Sequence, residues 1–194
     1  MSLMPAFDRK PECGIIIGRL LISYGELEYE WMTCLGTALG DLLTAVRVMY
    51  RMRSEGNRVE IGDAILRPYY AKLSLGETYE QAFGALNRCK QIRNNFAHSH
   101  WADNDLGLFY TAMEDAAKPR VGDGLLSFSH IDEPLLKRQE ELFHYCRDLL
   151  WYLNGEAEVK TGKKKNHPHR LPQVLSLPPL CNPKETAPRY SPDS

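Results

Sequence analysis

The sequence predicts a mainly α protein, an up-and-down helical bundle with an inserted two-stranded β-hairpin. Three observations predict it. Apolar residues recur at helical spacing over most of residues 14–100 and 133–153. The spacing changes to strand-like alternation between about 106 and 131. Beyond residue 155 the periodicity disappears, and seven of the twelve prolines crowd into residues 156–194. The expected organisation is an N-terminal extension over 1–11, one helical domain over 12–154, and a Pro-rich basic tail over 155–194, solvated or disordered unless it docks through the apolar stretch Leu171 to Leu180.

The first long helix should run from Gly14 to about Gly40, with Ile17, Leu20, Leu21, Tyr24, Leu27, Trp31 and Leu35 on one stripe. Glu28 interrupts that stripe, and a buried carboxylate needs a cation or a proton. Gly14, Gly18, Gly25 and Gly36 share a neighbouring face. Each costs about 1 kcal/mol relative to alanine, so their alignment predicts a second helix in close approach. Asp41 is placed to cap a helix over 42–54 that points Leu42, Leu43, Val46, Met49 and Tyr50 inward and Arg47, Arg51 and Arg53 outward. Glu55-Gly56-Asn57 reads as a turn. A third helix over 58–73 is ended or kinked by Pro68.

Leu75-Gly76-Glu77-Thr78 opens the helix that matters most, expected to reach His100. Tyr79, Phe83, Leu86 and Cys89 form its apolar stripe, with Arg93 near the middle. Asn87, Gln91, Asn94 and His98 form a polar stripe beside it, with Asn94 and His98 one turn apart. Asparagine is a poor helix-interior residue, so helix propensity did not select this composition. A turn at 102–105, strands over 106–113 and 125–131, and a helix from Asp132-Glu133-Pro134 to Leu153 complete the domain.

Composition limits function. The chain of 194 residues is 43% hydrophobic and 25% charged, as in a soluble globular protein. No apolar run approaches a membrane span, and no basic stretch leads to a cleavage site, so no membrane association is expected. Five scattered cysteines without a Cys-x-x-Cys argue against a zinc ribbon and for a reducing, cytoplasmic setting. His98-x-His100 and His167-x-His169 lack further ligands at useful spacing, so neither a metal nor another cofactor is expected. The net charge of −1 conceals a basic segment over 47–93 followed by an acidic one over 94–154.

The run Arg93-Asn94-Asn95-Phe96-Ala97-His98 resembles the motif of the HEPN superfamily: an arginine, a polar residue, three more positions and a histidine. HEPN domains are small helical domains of prokaryotic toxins, abortive-infection proteins and CRISPR-associated ribonucleases. The helix order resembles the family over roughly residues 12–154. That resemblance implies a metal-independent ribonuclease of toxin–antitoxin or defence type, working as a homodimer with the motif helices of two protomers facing one cleft. Its partners would be RNA and a cognate antitoxin protein. Arg93 would hold the scissile phosphate, His98 would serve acid/base chemistry, and Asn94 would orient groups in the cleft. The chemistry is consistent with those roles, since arginine forks onto phosphate and histidine titrates in the useful range. Glu28, Asn87, Gln91, His100 and Trp101 are the supporting candidates: Glu28 as an ion-pair partner for Arg93, Trp101 as a helix-closing residue or a base-stacking platform. The alternative is a non-catalytic binding or dimerisation module in which the Arg/His motif is structural.

Overall fold

The structure is a computed structural model that describes residues 4–52, 54–112 and 128–183. It is mainly helical, with a small antiparallel sheet. The described elements are α1 (Pro5–Arg9), α2 (Pro11–Leu39), α3 (Leu42–Arg51), α4 (Glu55–Lys72), α5 (Gly76–Ala97), β1 (Ser99–Asn104), β2 (Gly107–Ala112), β3 (Ser129–Ile131) and α6 (Glu133–Lys160). Two compact units emerge. The first comprises residues 1–23, 89–142 and 177–194, and the second comprises 24–88 and 143–176. The loop expected over 114–124 and the start of the strand expected over 125–131 lie outside the described residues.

The second unit is built around stacked aromatic rings. Trp31 and Tyr79 stack at 6.0 Å, Tyr70 and Tyr79 at 5.4 Å, and Tyr79 and Phe83 at 6.1 Å. The Tyr79 hydroxyl donates to Asp63 at 2.7 Å, and Arg67 clamps the same carboxylate while lying over the Tyr79 and Phe83 rings. Burial pushes the Tyr79 phenol well up, so it stays a neutral donor. Ile17, Leu20, Tyr24, Leu27, Trp31 and Leu35 are all buried as the periodicity predicts. Glu28 finds its cation in Arg58 of α4, 3.3 Å away.

Local side-chain caps start α3 and α6. Asp41 caps α3, accepting from the Leu43 and Thr44 amides at 2.9 and 3.3 Å. The Thr44 hydroxyl, at 2.6 Å, is the main reason the Asp41 carboxyl is held below its usual range. Asp132 caps α6 by accepting from the Leu135 amide at 2.9 Å.

Five expectations are corrected. α3 buries only Ala45 and Met49, one turn apart, and leaves Leu42, Leu43 and Tyr50 exposed, because contact through a small residue covers a narrow face. Glu55-Gly56-Asn57 starts α4 instead of forming a turn, and Pro68 does not end it. Pro68 and Ala64, whose carbonyl loses its helical partner there, are both exposed. A Cβ added to Gly18 or Gly25 would meet nothing within 4 Å, while one on Gly14 or Gly36 would approach Phe7 of α1 or Leu42 of α3; close approach thus occurs at two of the four, from two different helices. α5 ends at Ala97, and His100 and Trp101 enter β1, so the sheet has three strands in the order β1-β2-β3. The turn lies at Asp105-Leu106, between Asn104 and Gly107, one pair later than expected.

The tail is the fifth correction. Residues 155–160 extend α6; beyond them most of 161–183 is exposed, as a solvated tail is expected to be, but a few points of it are held by hydrogen bonds. In the second unit His167 bonds Glu156 at 3.0 Å and packs against Gly155, where any Cβ would come within 2.6 Å of its ring. In the first unit the Tyr110 hydroxyl donates to the Leu180 carbonyl at 3.0 Å, and Gln139 donates to the Pro179 carbonyl at 2.8 Å. Asn182 pairs its side-chain amide with the Asp132 backbone and carboxylate at 3.1 and 2.9 Å. Directed hydrogen bonds hold this proline-rich chain, which composition alone does not reveal.

A Cβ on Gly62 would sit 2.3 Å from Trp31 Nε1. Gly62→Ala is therefore expected to destabilise the protein by about 1–3 kcal/mol despite alanine's better helix propensity, as an overpacked core does. Urea unfolding measures it; an unchanged or raised midpoint would show that the ring can yield.

Candidate functional site

The C-terminal end of α5 places the motif. Cys89, Ile92 and Phe96 are buried at helical spacing, and this stripe fixes the helix rotation in the first unit. Arg93 lies partly buried beside the stripe, not in its middle. Asn94 is also partly buried and accepts from Arg93 Nη1 at 2.8 Å, so its amide orients the guanidinium. His98 is exposed just beyond the last helical residue, and its backbone amide donates to the Asn94 carbonyl at 3.3 Å. Arg93, Asn94 and His98 thus share the last turns of one helix and its exit.

The supporting candidates divide. Gln91 and His100 are exposed, the latter on β1. Asn87, partly buried on α5, and Glu28 belong to the second unit, where Glu28 takes Arg58 as its ion-pair partner. Trp101 is a packing residue. Its ring lies 5.5 Å from Phe7, 5.4 Å from Phe96 and 5.2 Å from Tyr110, which accounts for its position without a nucleic-acid base.

Two residues next to the motif escaped sequence reading. The Asn95 carbonyl accepts the Ser99 hydroxyl and so closes the helix end. Tyr110, pairing with Trp101 across β1 and β2, turns its hydroxyl toward Asn95, Ser129 and Leu180. Burial pushes its phenol well up, followed in effect by Cys181 nearby, while hydrogen bonds to Ser129 and Asn95 oppose the rise. The one available signal was the strand-like alternation along 106–113.

Several carboxylates of the acidic segment are paired within the first unit. Arg9 of α1 donates to Asp103 of β1 through Nε and Nη2, and Lys10 donates to the Asp105 carbonyl at 3.1 Å. Arg19 binds Glu140 through Nε at 2.5 Å, and Lys137 binds Glu133 at 2.7 Å. Three carboxylates of the acidic segment are thereby neutralised within the first unit. Among the described residues, no group of three or more His, Cys, Asp or Glu is arranged to hold a metal ion, and no helix is long and apolar enough to cross a membrane.

Comparison with family models, curated proteins and solved structures yields no match for this chain.

Two outcomes follow from this geometry. Trp101→Ala removes a ring shared by α1, α5 and β2 and is expected to cost about 3 kcal/mol, read as a lowered urea midpoint. A loss under about 0.5 kcal/mol, the ordinary surface-substitution range, would deny the ring its packing role. The Arg9 hydrogen bond holds the Asp103 carboxyl below its ordinary value. A depressed folded-state pKa contributes stability that is full above the unfolded value of about 3.9 and is lost as pH falls through the folded one. Asp103→Asn should therefore flatten that part of the acid limb of stability against pH. An acid limb identical to wild type would contradict the pairing.

Proposed function

We propose that the chain is a metal-independent ribonuclease of toxin or defence type, HEPN-like in its motif and acting at a cleft completed by a second copy. The observation that carries this reading is the Arg93–Asn94 hydrogen bond at 2.8 Å, one turn before an exposed His98. Metal-free RNA cleavage needs a cation for the developing phosphorane charge, a group that takes the 2′-hydroxyl proton, and an acid for the leaving oxygen. Arg93, held by Asn94, supplies the cation. His98 supplies one proton-transfer group, and a second copy's His98 supplies the other. In this reading the protein is a cytoplasmic homodimer, its substrate is RNA, and a cognate antitoxin protein restrains it.

A second reading, a non-catalytic binding or dimerisation module, draws on the same contact. The Arg93–Asn94 bond satisfies part of the guanidinium within its own helix, as a structural arginine requires.

Cleavage of varied RNAs in EDTA separates the two. His98→Ala and Arg93→Ala are expected to fold and to lose activity by about 10²–10⁴-fold, with cyclic phosphate ends left by wild type. Inert wild-type protein, or full activity in folded His98→Ala, would overturn the ribonuclease reading.

A further inference from the structure

Helix α2 carries a second face that the described residues leave uncovered. Ile15, Ile22 and Tyr29 are 49%, 78% and 50% exposed, at seven-residue spacing. Gly18 and Gly25 fall between them, so large and small residues alternate along one stripe at the a and d spacing of a heptad repeat. A mid-helix glycine costs about 1 kcal/mol relative to alanine. A Cβ on Gly18 or Gly25 would have nothing within 4 Å, so no described neighbour requires their small size. Three exposed apolar side chains and two glycines, all on one face, mark a contact with another molecule.

We infer that this face of α2 packs antiparallel on α2 of a second copy of the chain, in a two-fold dimer. The stripe complements itself. With the axis between Ile22 and Gly25, each Ile22 lies over the other copy's Gly25, and each Tyr29 lies over the other copy's Gly18. Large residues then fill the hollows that the glycines leave, and the two backbones come close. Charge selects this register. Exposed Arg19 and Glu26 occupy the flanking e positions, which face each other in an antiparallel pair, so Arg19 of each copy meets Glu26 of the other. The alternative antiparallel register, with Ile22 over Gly18, sets Arg19 against Arg19 and Glu12 against Glu26. Flanking ion pairs set orientation in such pairs, and only the first register provides them. Arg19 already binds Glu140 through Nε and Nη2, and its guanidinium carries further donors on Nη1. The contact is isologous and closes on itself, so this face engages one partner copy.

The inference is independent of the ribonuclease reading, since it is tested without RNA. Light scattering on the full chain should give twice the 22.2 kDa chain mass. Ile22→Glu should halve that mass. Gly25→Leu is the decisive variant: it places a good helix former in open space on the single chain, so helix stability should hold or rise while dimerisation is lost. Glu26→Arg, which sets two arginines against each other, should raise the dissociation constant at least tenfold. Monomeric wild type, or a Gly25→Leu protein that remains fully dimeric, would overturn the inference. A wild-type dimer that Gly25→Leu dissolves, yet that cuts no RNA, sustains this interface while removing the proposed activity.

Discussion

The aromatic contact among Phe96, Trp101 and Tyr110 is the constraint on which the first unit depends. Phe96 is the last buried residue of α5, and Trp101 follows five residues later on β1. Bringing their rings to 5.4 Å obliges the chain to leave the helix at Ala97 and reverse immediately into a strand. Tyr110 closes the cluster from β2 and ties it, through its hydroxyl, to the docked segment around Leu180. Packing of Trp101 against the buried Phe96 and Tyr110 rings outweighs the helix propensity of a few terminal residues, so tertiary contact sets the end of α5. The motif residues are held where that exit leaves them: Arg93 and Asn94 on the last full turns, His98 beyond them in solvent.

The second unit is organised by a polar group placed among rings. Asp63 accepts from the buried Tyr79 hydroxyl and from Arg67, whose guanidinium in turn covers Tyr79 and Phe83. Each member satisfies another, so a carboxylate is tolerated beside a stacked aromatic core. Glu28 is accommodated in the same way by Arg58, which also bonds the Met52 carbonyl at 3.0 Å and lies over the Tyr50 ring. The charges that interrupt the apolar stripes are thus part of the packing.

Charge distribution shows why segment totals mislead. The 94–154 segment is acidic by count, yet α1 and α2 supply Arg9 and Arg19 from outside it to Asp103 and Glu140. These pairs are largely solvent-facing and contribute little stability each. Their consequence is local: the field that an anionic ligand meets depends on unpaired charge, and pairing across elements is a tertiary property.

The sequence by itself determined the helices and their rotation. Strong periodicity identified α2, α5 and α6, and the buried residues Ile17 through Leu35 on α2 fell where the 3.6-residue repeat put them. It also determined the caps at Asp41 and Asp132, because capping is a local hydrogen bond between neighbours in sequence. It identified the arginine, asparagine and histidine cluster by composition that propensity does not explain. Only the tertiary structure decided the rest. Which apolar face of α3 is covered, where α5 stops, which cation Glu28 takes and whether a proline-rich tail docks all depend on partners distant in sequence. Local pattern carries no information about such partners, and the free energy of ring burial and directed hydrogen bonds exceeds the few tenths of a kcal/mol per residue by which local propensities differ.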